Sequence, residues 1–100
     1  MKKITIDTNS ITDWLSFHDV SKQVFDFPQS YRENMIEWVE GISVANKEDL
    51  LVVELNNAKS FKERCPEQYK ALVDGIAFAN YRSLMMEGRP IAAISFFDFK

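Results

Sequence analysis

Residues 50–55 read LLVVEL, an apolar run broken only by Glu54. A strand with one wet face alternates polar and apolar side chains, whereas a strand covered on both faces reads as a near-continuous apolar run. LLVVEL therefore predicts a strand buried between layers, the pattern of a parallel sheet. Working outward, KKITID at 2–7 carries β-branched residues in alternation and predicts a second strand. Ile91 to Phe97 predicts a third.

The segments between them read as helices. Thr12 or Asp13 can cap a helix over Trp14 to Phe25, where Trp14, Phe17, Val20 and Val24 recur at helical spacing. Pro28 closes that segment. The stretch SVANKED at 43–49 is polar and turn-like. A short helix is expected over Ala58 to Arg64. Pro66 suits the first position of a longer helix, with Glu67 favourable near its positive end. That helix would bury Tyr69, Leu72, Val73, Ile76 and Ala79 and stop at Gly88. Strands joined by helical crossovers imply an α/β fold: a small three-stranded parallel sheet with helices packed on it. No internal repeat, linker or low-complexity segment interrupts the chain, so residues 1–100 are expected to form a single domain.

Composition bounds the function. With 46% hydrophobic and 27% charged residues in 100, the chain has a globular make-up and not that of a disordered segment. Fifteen acidic residues against twelve basic ones give a net charge of -3. No basic stripe is present, which argues against direct nucleic-acid binding and suits a basic protein partner. A single cysteine excludes an intrachain disulfide and fits the reducing cytoplasm. The opening MKKITIDTNS lacks the apolar core of a signal peptide, and no apolar run is long enough to span a bilayer. A cytoplasmic inhibitor and a cytoplasmic enzyme both remain open on these grounds.

The stretch 27–42, FPQSYRENMIEWVEGI, separates them. Ser30 and Glu33 fit a capping box, which starts the predicted helix at Tyr31. Tyr31, Met35, Trp38 and Ile42 then share one face, the core stripe, and Trp38 is structural. The far side carries Glu33, Ile36, Glu37 and Glu40, flanked by Arg32 and Val39. Like charges at such spacing cost a few tenths of a kcal/mol each, and an isoleucine facing water gains nothing for folding. Such a face is either solvated surface with one stray apolar residue or a docking surface.

The stretch ITDWLSFHDVSKQVFDFPQSYRENMIEW, then LVVEL, then PEQYKALVDGIAFANYR through IAAISFF, resembles the barstar family over nearly the whole chain. The resemblance implies a three-stranded parallel sheet with packed helices. It also implies inhibition of a barnase-like ribonuclease by the second helix and the loop before it, with no cofactor. Asn34 matches the family asparagine. Glu40 stands where aspartate is usual and keeps the charge. Ile36 stands where another interface aspartate is expected, and Glu37 sits about 100° further round the helix. Ser30 replaces an aromatic residue and Arg32 a glycine. Val39 and Ser83 occupy positions that can be aromatic and acidic respectively. The partner-binding residues implied are thus Ser30, Arg32, Asn34, Ile36, Glu37, Val39, Glu40 and Ser83, facing a basic partner such as a nuclease toxin.

The remaining residues read as structural. His18, the only histidine, is expected on a helix surface, and no second histidine or cysteine stands at metal spacing. Cys65 before Pro66 reads as structural, and Glu54 as a carboxylate paired at the sheet end. Tyr31, Tyr81 and most phenylalanines fall at core periodicity. Lys59, Lys62, Arg64 and Lys70 read as solvated charge. Three functions compete. The first is an inhibitor of the immunity or antitoxin type, monomeric when free. The second is an enzyme using Glu33, Glu37 and Glu40 as acid–base groups, although a convex helix implies no pocket. The third is an interaction module for a non-nuclease partner, or one that self-associates through Ile36 and Val39.

Overall fold

The computed structural model describes residues 2–45 and 49–96. Strand β1 (Lys2–Asp7) leads through a 3₁₀ turn to helix α1 (Trp14–Val24), then helix α2 (Met35–Ala45) and strand β2 (Leu51–Asn56). Helices α3 (Ala58–Arg64) and α4 (Pro66–Glu87) follow, and strand β3 (Ala92–Phe96) closes the order. The three strands form one parallel sheet in the order β1-β2-β3. β2 lies in the centre, as LLVVEL required: Leu51, Val53 and Leu55 are fully buried. Residues 46–48 of the expected turn and Phe97 of the expected last strand lie outside the described residues.

Local chemistry sets the boundaries. Asp13 caps α1, accepting from the Ser16 amide at 2.8 Å, while the Ser16 hydroxyl receives the Asp13 and Thr12 amides. The chain leaves β2 through Asn57 in the left-handed region (φ 61), which asparagine tolerates, and enters α3. Pro66 opens α4, and Gly88 at φ 76 ends it with its N–H on the Leu84 carbonyl. A left-handed residue at that point is a common helix stop. No helix among the described residues is long and apolar enough to cross a membrane.

Among the described residues one core runs from the sheet under the four α-helices. Phe17, Trp38, Ile42, Phe61 and Leu72 meet Ile6, Leu51 and Val53 there. Glu54 behaves as expected of a buried carboxylate: Thr5 Oγ1 donates to it at 3.0 Å and Lys3 Nζ pairs with it at 3.0 Å. Cys65 is buried with its thiol 3.6 Å from the Ile11 carbonyl, consistent with packing.

Three readings of single residues are corrected. Arg64 is not merely solvated charge, because its guanidinium donates to the Thr8 and Ile11 carbonyls at 3.1 Å each. Those carbonyls belong to the turn after β1, which offers its backbone acceptors to α3. Tyr81 is not a core residue but stands exposed on the outer side of α4. His18 does not face water: it is buried against Trp14, Phe17 and Tyr31.

Candidate partner-binding face

The segment before α2 decides how its residues are presented. Phe27 stacks on Phe25 and meets Tyr31 at a ring separation of 4.7 Å, so both aromatic rings turn inward. Tyr31 also reaches back to α1, its hydroxyl 2.5 Å from His18 Nδ1. Burial lowers the His18 pKa below its ordinary 6.5 and outweighs the opposing pull of Glu33 and Asp19. Burial, helped by Glu33 and Glu37, raises that of the Tyr31 phenol. The contact therefore joins a neutral imidazole to a protonated phenol.

This anchoring keeps residues 28–34 in turns, and the helix starts later than the capping-box reading places it. The Tyr31 amide donates to the Pro28 carbonyl and the Asn34 amide to the Arg32 carbonyl. α2 begins at Met35, not Tyr31, and Asn34 is its cap, with Oδ1 accepting from the Glu37 amide at 2.9 Å. Ser30 is not the cap and Glu33 precedes the helix, so Glu33 does not share the outward helical face with Ile36, Glu37 and Glu40. The far end also moves, from Ile42 to Ala45.

The inward stripe holds for Met35, Trp38 and Ile42, and Tyr31 turns inward from the turns before the helix. Trp38 and Ile42 are fully buried, while Met35 and Tyr31 are partly so. Trp38 stacks on Phe17, meets Phe25 edge-on and donates its indole N–H to Ser21 Oγ at 2.9 Å. Gly75 of α4 lies directly behind it. The outward face is led by Ile36, which is 78% exposed. Val39, assigned to the flank of this face, is instead buried: one turn after Met35 it packs between α2 and α4.

Five of the eight residues implied for binding come together. Ser30, Arg32, Asn34, Ile36 and Glu37 line one shallow depression of about 490 Å³. Ser30 and Glu37 continue into a second, of about 230 Å³, which Glu40 joins beside Tyr31 and Val44. Ser83 stands apart. It shares a pocket with Ser43 and Met86, roughly 10 Å along α2 from Ile36 at 1.5 Å per residue. Its buried Oγ has no hydrogen-bond partner among the described residues.

Apart from Ser83, sequence reading missed the contribution of α4. Arg82 pairs with Glu40 at 2.7 Å, so the carboxylate is held by the protein's own cation. A groove of about 350 Å³ also runs between α2 and α4, lined by Met35, Ile36, Val39, Gly75 and Phe78 with Asp74 and Arg82 at its edges. The one available signal was the run of large apolar residues on the outer side of α4. Nothing in a single sequence tells which helix that side borders.

A family model described as Barstar (barnase inhibitor) matches residues 1–93. No curated protein gave a match. The matched span takes in β1, β2, every helix and the face just described, and the parallel order agrees with what the resemblance implied. The chain belongs to the barstar family.

Proposed function

We propose that this protein is an inhibitor of a ribonuclease and occupies the enzyme's active site with the outer face of α2 and the turns before it. The observation that carries the reading is the division of labour within α2. Trp38 and Ile42 fix the helix to the core, and Ile36 is left toward solvent with no folding role to explain it, beside the half-buried Glu37 and the Glu40 carboxylate that Arg82 holds. Family membership supplies the kind of target. A ribonuclease site is basic because it binds phosphates, and carboxylates on a rigid helix can take their place. The altered face, with Ile36 in place of a carboxylate and Glu40 paired to Arg82, fits an immunity or antitoxin protein tuned to its own nuclease toxin. No catalytic role is assigned to Glu33, Glu37 or Glu40: Glu37 and Glu40 line shallow, open depressions, and Arg82 holds the Glu40 carboxylate.

The test is titration against a barnase-like ribonuclease at low salt, following RNA cleavage, with the native chain and Glu40→Arg. Stoichiometric inhibition by the native chain is expected, with at least tenfold weaker inhibition by the variant and an unchanged fold by circular dichroism. Absence of inhibition by the native chain would remove this class of target. Equal inhibition by both would remove Glu40 from the interface.

A further inference from the structure

The outer side of α4 carries large apolar side chains that the fold does not use. Phe78, Tyr81 and Met85 are 53%, 63% and 71% exposed. At 100° per residue they fall within one narrow stripe, which Ala71 and Asp74 continue toward the N-terminus and Arg82 borders. Ile36 adds to it across the groove between the two helices. Scattered single apolar residues are normal on a surface, but a contiguous set of this size marks an interaction site.

The arrangement is its own complement. Asp74 and Arg82 stand four residues on either side of Phe78, and Ala71 and Met85 stand seven on either side. In an antiparallel pairing of two α4 helices about a two-fold axis at Phe78, Asp74 of each copy faces Arg82 of the other. The small Ala71 then faces the long Met85, and the two Phe78 rings meet at the axis beside the grooves. A two-fold contact must be self-complementary in this way, each pair occurring twice. Asp74 and Arg82 are about 12 Å apart along the helix, so one rotation satisfies both ion pairs at once.

The existing pairs leave room for this. Asp74 uses Oδ2 on Lys70 at 2.6 Å, and Arg82 uses Nη1 on Glu40 at 2.7 Å. Oδ1 and Nη2 can then join across the axis and link Lys70, Asp74, Arg82 and Glu40 into one network. We propose that the partner of this surface is a second copy of the same chain, packed α4 against α4 about Phe78. The stripe from Ala71 to Met85 is about 21 Å long. That is short of what a standard interface of roughly 800 Å² per partner requires, so the dimer is weak and reversible. The proposal does not depend on the ribonuclease reading.

Sedimentation equilibrium of the full chain from low micromolar to millimolar concentration tests it. A concentration-dependent dimer is expected. Asp74→Arg sets cations against each other across the axis, and Arg82→Asp sets anions against each other. Each variant alone should weaken dimerisation at least tenfold while melting as the native chain does to within a few degrees. An equimolar mixture of the two variants, or the double variant Asp74→Arg/Arg82→Asp, should restore association. Phe78→Asp, at an exposed site, should be monomeric throughout. A native chain that stays monomeric at millimolar concentration would overturn the proposal. So would a dimer unmoved by either charge reversal, or one that the mixture fails to restore.

Discussion

Gly75 is where the seating of α2 on α4 can be tested most directly. A Cβ built there would lie 2.7 Å and 2.9 Å from two ring carbons of Trp38 and 3.2 Å from the terminal methyl of Met35. Met35 is flexible and can give way. Trp38 cannot, because Phe17 and Phe25 hold its ring and Ser21 holds its indole nitrogen. Gly75→Ala should therefore overpack the junction at a cost of about 1–3 kcal/mol. Loss of the Trp38–Ser21 hydrogen bond as the ring shifts adds about 1 kcal/mol. Alanine regains about 1 kcal/mol of helix propensity inside α4. The net loss is about 1–3 kcal/mol, and each kcal/mol lowers Tm by roughly 4–8 °C in a chain of this length. Urea unfolding followed by circular dichroism measures it. Trp38→Leu removes the opposing atoms, so Gly75→Ala should cost much less in that background, and the double-mutant cycle reports the coupling. A midpoint unchanged or raised by Gly75→Ala would refute the reasoning, as would an equal cost with and without Trp38.

Two further outcomes follow from buried polar contacts. Asn80 ties α4 to the start of β3, its Oδ1 accepting from the Ile91 and Ala92 amides at 2.9 Å each and its Nδ2 donating to the Ala92 carbonyl at 2.8 Å. Asn80→Ala should cost about 2–4 kcal/mol by unfolding titration, because amides buried at the edge of the sheet lose their acceptor. Faster amide exchange confined to residues 91 and 92 is expected with it, and unchanged exchange there would contradict this role. His18 makes stability depend on pH in the opposite sense to an ion-paired histidine. Its folded pKa lies below 6.5, so the unfolded chain binds the extra proton between the two values. Stability is then complete above 6.5 and falls as pH drops through that value. His18→Gln should flatten this part of the profile, and an unchanged slope would show that other groups set it.

Much of the fold was legible because its strands and long helices are written in periodicities that packing did not override. KKITID, LLVVEL, the Ala58–Arg64 turn of helix and the span from Pro66 to Gly88 all lie where pattern and punctuation place them. The start of α2 was not legible. Ser30 and Glu33 form a valid capping signal, but Tyr31 is drawn inward to Phe27 and His18, and the turns that result reach to Asn34. A long-range aromatic contact thus overrode a local hydrogen-bonding preference. The burial of His18 and Val39 depends on the same inter-helix packing, which no window of sequence contains. The Arg82–Glu40 pair joins residues on separate helices and has no local signature at all.

That separation between inner and outer faces also explains how a chain can keep the family fold with the altered face that the resemblance implies. Trp38, Ile42 and Gly75 are constrained by neighbours at van der Waals distance, so few other residues fit there. Ser30, Arg32 and Ile36 are exposed, and exchanging them moves stability by only a few tenths of a kcal/mol, whereas Glu40 also holds Arg82. Ile36 is the sharpest case. Its side chain contributes almost nothing to the core, so the step from carboxylate to isoleucine is nearly neutral for folding and is felt only by whatever docks on it. In the proposed inhibitor a carboxylate there would favour a bare basic site, whereas isoleucine beside the Phe78 groove would favour a partner with an apolar side chain next to its cations. On the proposed reading, an exchange at Ile36 that leaves the scaffold unchanged would therefore redirect recognition.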